Sequence, residues 1–258
     1  MSLAAVETPL HHFPTARKQK SRTNPKPKKS SSKGDQQLQS LFSDIQALYA
    51  TSKLSQNLTK QITSTFTNPA TTPIKTLLSL GLGSPTTPSK NQPRILKQLA
   101  IFLALSAALE NAGHGFVTLY AQDPVFTRAD ESFLSSLGIK ISRTSRGAEL
   151  GEATALIDAA TIVYSPFLTL EAYEALLLHA GKGSVRFLIG DDFEKLLAKW
   201  PKFSEERKQV LKLVRGAVGG YRRRGVGGDG FWEEGDGAFP MALYERGGAG
   251  SVKAKAKM

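Results

Sequence analysis

The stretch Thr76-Leu77-Leu78-Ser79-Leu80-Gly81-Leu82-Gly83-Ser84 decides how the chain is read. An apolar run of this length that ends in two close glycines predicts a strand buried on both faces and stopping in a loop. Glycine has no side chain, so a ligand or a neighbouring element can approach that loop's backbone closely.

Downstream, Ser84 to Pro93 is a proline-bearing loop, long for a strand-to-helix connection, and long loops at strand ends often carry function. Arg94 to Glu110 predicts a strongly apolar helix closed by Asn111-Ala112-Gly113. Phe116 to Tyr120 predicts a second strand, ending in Gln122-Asp123-Pro124. Thr127 followed by Asp130 predicts a capped helix running to Leu137, and Ile139-Lys140-Ile141 a third strand. Thr161 to Tyr164 and Val185 to Ile189 predict strands four and five, with a helix from Leu170 to His179 between them. Strands alternating with helices imply an α/β fold, a Rossmann-like three-layer sandwich with a mostly parallel sheet. Phe193 to Trp200 and Ser204 to Val218 predict two further helices, which bounds this core at 68–218.

Upstream, Leu38, Leu41, Phe42, Ile45, Leu48 and Tyr49 share one helical face, with Asp35 a suitable N-cap. Leu54, Leu58, Ile62 and Phe66 continue at intervals of four, so 36–67 predicts a helical lead-in, in one helix or two, that packs on the core. Residues 68–73 form a linker into the first strand. Residues 1–35, rich in Lys, Ser and Pro, predict a disordered basic tail, in which Lys26-Pro27-Lys28-Lys29 resembles a nuclear import signal or a nucleic-acid-binding arm. At the other end, 219–237 combines many glycines with Arg222-Arg223-Arg224 and Phe231-Trp232. It predicts a flexible insertion, with RNA binding through charge and stacking as the alternative. Residues 238–246 predict an edge strand and 247–258 a second disordered basic tail.

The net charge of +12 over 258 residues suggests a polyanion partner only if it lies on the fold. Residues 1–35 hold eight basic side chains against two acids, and the last ten hold three without an acid. What remains is 23 basic against 20 acidic, so the charge is concentrated in the tails, where weak binding of nucleic acid or acidic partners is expected. Cysteine is absent, which excludes disulfides, thiolate zinc sites and a cysteine nucleophile. Of the four histidines, His11 and His12 sit in the tail, and no metal site is expected. No apolar run approaches the roughly 20 residues of a membrane span, and no secretory pattern opens the chain, so a cytoplasmic or nuclear location without membrane contact is expected.

In a doubly wound sheet, ligands bind beyond the carboxyl ends of the strands. The candidates there are Gly81, Gly83 and Ser84 after strand one, Asp123 and Thr127 after strand two, Ser165 after strand four and Asp191 and Asp192 after strand five, with Arg94 opening the helix that follows the glycines. Gly83 and Asp123 are expected to face one hollow. An acid after strand two commonly holds a ribose hydroxyl, and a glycine turn can offer backbone N–H groups to a phosphate or carboxylate, while the competing reading of Asp123-Pro124 is a turn whose carboxylate bonds nearby backbone N–H groups. The stretch nevertheless lacks the third glycine of the dinucleotide fingerprint, and no cofactor can be named. No Ser-His-Asp set is visible, and His114 is expected to be an ordinary surface or capping residue.

Leu80-Gly81-Leu82-Gly83-Ser84, Arg94-Ile95-Leu96-Lys97-Gln98-Leu99-Ala100, Asp123-Pro124-Val125-Phe126-Thr127, Tyr173 and Ile189-Gly190, in this order and spacing, resemble the SRR-like domain, named for "sensitivity to red light reduced". The resemblance covers roughly residues 70 to 195, and reaches about 245 if Ala238-Phe239 matches the family's closing segment. It implies a Rossmann-like fold and an intracellular regulatory protein, of a family linked in plants to light signalling and the circadian clock and in fungi and animals to growth, cytoskeletal or haem-related regulation. No established catalysis comes with it. Site residues carry over at Gly81, Gly83, Ser84, Arg94, Gln98 and Asp123. The sequence departs from the family after strand four, with Ser165-Pro166-Phe167-Leu168 for Pro-His-Cys, and after strand five, with Asp191-Asp192 for Asn-Ser. The readings that compete are a regulatory domain, a methyltransferase-like binder of S-adenosylmethionine or a nucleotide, and an RNA-associated protein acting through its tails.

Overall fold

The computed structural model describes residues 33–67, 72–144, 149–179, 185–228, 230–233 and 240–247. The apolar run is a strand, β1 (Thr76–Leu80), buried in all but its first residue. It pairs in parallel with β2 (Thr118–Gln122) on one side and with β4 (Thr161–Ser165) on the other. Outside these lie β3 (Ile139–Ile141), parallel to β2, and β5 (Phe187–Asp191), parallel to β4. Two antiparallel strands, β6 (Tyr221–Val226) and β7 (Met241–Arg246), complete a seven-stranded sheet of order β3-β2-β1-β4-β5-β7-β6.

Successive side chains of a strand point to opposite faces, and here both faces are covered. Leu77, Ile162, Phe187 and Leu243 pack in one cluster with α1 (Lys33–Thr51), α2 (Lys53–Phe66), α3 (Gln92–Leu109) and α4 (Arg128–Ser136). Their neighbours Leu78, Val163, Leu188 and Ala242 pack in a second cluster with α5 (Leu170–Glu174), α6 (Phe193–Lys199) and α7 (Glu205–Gly216). The fold is therefore the expected three-layer α/β sandwich.

The lead-in is two helices, because Ser52 interrupts it and caps α2 by accepting the Ser55 N–H at 3.1 Å. Asp35 is not the cap of α1, which begins at Lys33 and so places this acid in its first turn, where the helix dipole favours it. Gln92–His114, which is α3 and the π-turn continuing it, has the length and mean hydropathy, 1.4, of a membrane span, contrary to the expectation that no run comes close. Yet 61% of its apolar window is buried inside the protein. Its all-round hydrophobicity reflects a helix wedged among α1, α2 and the sheet. His114 ends the π-turn, as expected of a helix-end residue, and in addition its Nδ1 accepts the Ile74 N–H at 3.0 Å. Nε2 then carries the hydrogen and donates to Phe66 O at 3.0 Å, so the ring ties the end of α2 to the approach to β1.

The glycine- and arginine-rich stretch 219–237, expected as a flexible insertion, contains β6, and the anticipated edge strand β7 is interior. Partners from distant segments pin β6 where its own apolar pattern is poor. Arg223 Nε donates to Asp192 Oδ1 at 2.8 Å, Arg224 NH1 to Thr65 Oγ1 at 2.7 Å, and the Tyr221 hydroxyl to Val185 O. Two carbonyls along the outer side of β6 and just past its end are also engaged, since Asn57 Nδ2 donates to Gly227 O and Gln61 Nε2 to Gly225 O, both at 2.6 Å. Such bonds occupy acceptors on an edge that another strand could otherwise extend. The basic tails expected at 1–35 and 247–258 fall almost entirely outside the described residues, as do residue 229 and residues 234–239.

Candidate functional site

The strand order reverses between β1 and β4, and a crevice opens at their carboxyl ends. A cleft of about 360 Å³ lies there, lined among others by Gly81, Gly83, Ser84, Arg94, Gln98, Asp123 and Phe167. Both glycines have a positive φ, 72° and 81°. A Cβ on Gly81 would stand 2.7 Å from Leu168 Cδ1, and one on Gly83 2.9 Å from Ile95 Cδ1. Of the two uses foreseen for this glycine pair, the structure thus shows close approach by neighbouring elements.

Two carboxylates shape the loop after β1. Asp123 Oδ2 accepts the Gly83 N–H at 2.7 Å and Oδ1 accepts the Val125 N–H at 3.0 Å. The glycine and the aspartate do face one hollow, but they bond to each other, so this N–H is not presented to a ligand. Asp130 is fully buried and accepts from Ser84 Oγ at 2.8 Å, Thr86 N at 2.9 Å and Thr127 N at 2.8 Å, with the Thr86 and Thr127 hydroxyls completing its shell. Burial pushes its carboxyl up, but the Thr127 and Thr86 hydrogen bonds outweigh this and hold it below the usual carboxylate range. Asp130 with Thr127 forms the expected capping box of α4, and the same carboxylate reaches across to fix Ser84 and Thr86.

The opposite wall comes from the loop after β4. Phe167 has φ 65°, the one positive value at a non-glycine among the described residues. Its N–H donates to Asp191 Oδ1 at 3.1 Å. Burial pushes the Asp191 carboxyl up to about 7, against the opposing effect of the Phe167 N–H and the nearby Tyr173 hydroxyl. Tyr173, wholly buried, donates to Ser165 O and accepts the Asp191 N–H at 3.0 Å. A Cβ on Gly190 would stand 2.6 Å from that hydroxyl, which explains why a glycine and a tyrosine occupy these positions together. The Phe167 ring meets Trp232 edge-on at 5.8 Å and lies 5.1 Å from the Arg94 guanidinium carbon.

The structure therefore gathers Gly81, Gly83, Ser84, Arg94, Gln98 and Asp123 in one cleft. It does not bring Thr127, Ser165, Asp191 or Asp192 into it; Asp192 caps α6 and pairs with Arg223. Thr127 caps α4, Ser165 is enclosed in the sheet, and Asp191 acts from behind the wall on Phe167. Phe167 was missed because its position marks a departure from the family pattern, and only its conformation reveals a role. Arg223 and Arg224, part of the cluster read as a possible RNA contact, pair instead with Asp192 and Glu245. Among the described residues, no group of three or more His, Asp or Glu side chains is placed to hold a metal ion.

Three buried polar atoms near the strand ends lack hydrogen-bond partners: Arg94 Nε, Gln98 Oε1 and Ser165 Oγ. Gln98 is only 2% exposed, yet lines the cleft. Buried polar groups are ordinarily paired, so an orphan at a cleft wall is a feature that a bound molecule can complete. No curated protein matches the chain. A family model described as the SRR1 domain matches residues 38–219, from α1 to just past α7, a longer span than the 70–195 read from the motifs, since it takes in the helical lead-in. The chain belongs to the SRR1 domain family.

Proposed function

We propose that the protein is a regulatory member of its family, acting in the cytoplasm or nucleus, whose SRR1 domain responds to a small molecule bound in the cleft between β1 and β4. The observation that carries this reading is a cleft at the topological switch point whose wall includes Gln98, a buried side chain with an oxygen that has no hydrogen-bond partner. Binding is favoured over turnover by the state of the carboxylate nearest the cleft. Asp123 uses both oxygens to hold backbone N–H groups, which suits a positioning role better than that of a general base.

The test is a thermal-shift screen of nucleotides, S-adenosylmethionine and amino acids at millimolar concentration on the wild type and on Gln98→Leu. A ligand that binds the folded state raises Tm by linkage. The variant should keep or gain stability without ligand, because it removes a buried unsatisfied group, and its ligand response should weaken. If no compound in the panel moves Tm, the reading fails. Formation of S-adenosylhomocysteine from S-adenosylmethionine would instead establish the methyltransferase-like alternative.

A further inference from the structure

We propose that the cleft takes a zwitterionic ligand, a small molecule bearing an α-amino-carboxylate group, with the carboxylate at Arg94 and the ammonium between Gln98 and Asp123. This rests on the cleft being a binding site, and it deepens that reading by naming the chemistry.

The cleft holds one cation and one carboxylate, Arg94 and Asp123, and among the described residues they form no ion pair with each other. Arg94 lies over the face of Phe167 and its Nε is a buried donor without an acceptor. One helical turn further along α3, about 6 Å by the rise of the helix, Gln98 Oε1 is a buried acceptor without a donor. Asp123 accepts one N–H on each oxygen, and a carboxylate has roughly four acceptor positions, so it retains both capacity and charge for a cationic donor. A ligand that satisfies all three must offer an anionic acceptor at one end and a positively charged donor at the other.

Other ligand classes match this set less well. A free phosphate or a polyphosphate would satisfy Arg94, but it would leave Gln98 unpaired and bring several negative charges towards Asp123 with a single cation to offset them. A simple amine would satisfy Gln98 and Asp123 and leave the guanidinium donor unmet. The volume, about 360 Å³, lies in the range of small-molecule pockets and accommodates an amino acid with a substantial side chain. Planar carboxylate recognition is also what a guanidinium does best.

The experiment measures Tm and calorimetric affinity on the full chain with methionine, S-adenosylmethionine, N-acetylmethionine, methionine methyl ester, AMP and ATP. The expected result is binding of one or both intact amino-carboxylates, and at least a tenfold loss of affinity when the amine is acetylated or the carboxylate esterified. Arg94→Gln should abolish the response to these compounds, and Gln98→Leu should weaken it while leaving the fold intact. A response to AMP or ATP but to no zwitterion, lost in Gln98→Leu, would overturn the inference and leave the cleft reading standing. A zwitterion response unchanged in both variants would overturn the inference by placing the ligand elsewhere, and silence across the panel would overturn inference and cleft reading together.

Discussion

The two loops that wall the cleft are anchored by aspartates in opposite electrostatic states. The loop after β1 hangs on Asp130, whose carboxylate is surrounded by donors and held below its usual range. The loop after β4 hangs on Asp191, whose carboxyl has few donors and is pushed up to about 7. Both side chains are buried, but Asp191 is the more deeply enclosed and its oxygens also receive fewer hydrogen bonds, so burial dominates there and the donors dominate at Asp130. A carboxylate ringed by N–H and O–H groups is stabilised as an anion, whereas one offered only the Phe167 N–H and the nearby Tyr173 hydroxyl gains too little to offset the loss of water.

The comparison fixes the sign of two pH effects. Asp130, with a depressed value, contributes stability above the unfolded carboxyl range near pH 4, and this is lost as pH falls through its folded value. Asp191, with a raised value, holds a proton in the folded protein that the unfolded chain has already released above about pH 4. Its effect is thus a loss of stability as pH climbs from about 4 towards 7, with no further change beyond.

The most damaging change should be Asp130→Ala, which strips the acceptor from Ser84, Thr86 and Thr127 at once. We expect about 4–5 kcal/mol of destabilisation by urea titration at pH 7, given typical costs for buried charged networks, and a value under about 1 kcal/mol would refute the anchoring role. Next in size, Asp191→Asn keeps an oxygen for the Phe167 N–H but cannot ionise. The gap between an ordinary carboxyl and one near 7 corresponds to roughly 4 kcal/mol, so at pH 8 the variant should gain about 3 kcal/mol after allowing for the amide's own donors. Its stability should also stop falling between pH 4 and 7, and a profile parallel to the wild type would show that Asp191 is not the titrating group. His114→Ala, outside both loops, serves as a reference and should cost about 2 kcal/mol, because the Ile74 N–H and Phe66 carbonyl lose their shared partner. The smallest effect is expected for Phe167→Gly, within about 1 kcal/mol of wild type, since relief of the left-handed backbone offsets the lost contacts with Trp232 and Arg94. A destabilisation above about 3 kcal/mol would mean that this loop is held by its ring rather than by Asp191.

How far the sequence reveals these features depends on the distance over which each is determined. β1, its glycines and the capping box of Thr127 with Asp130 are local patterns and were legible. The reach of Asp130 to Ser84 spans 46 residues and left no local mark. The same holds for β6, where glycines and arginines conceal a strand whose stability comes from Asp192, Glu245 and α2. Asp123 is placed beside Gly83 correctly, and of its two readings, a ribose contact or a turn bonding nearby N–H groups, the structure shows the second; the spacing of an acid after β2 says nothing about which donor reaches it first. The orphaned Gln98 oxygen could not be inferred at all, since an unsatisfied atom is defined only by what surrounds it in three dimensions.

The amides of Asn57 and Gln61 reach strand β6 across 170 and 164 residues. On the ribosome, where chains emerge amino end first, the α1–α2 pair must wait for almost the whole polypeptide before its clasp finds a receiver. Shortening the protein from its amino end would remove that guard, and the bared strand would be free to recruit neighbouring molecules, so loss of solubility is the expected fate of a fragment beginning at β1.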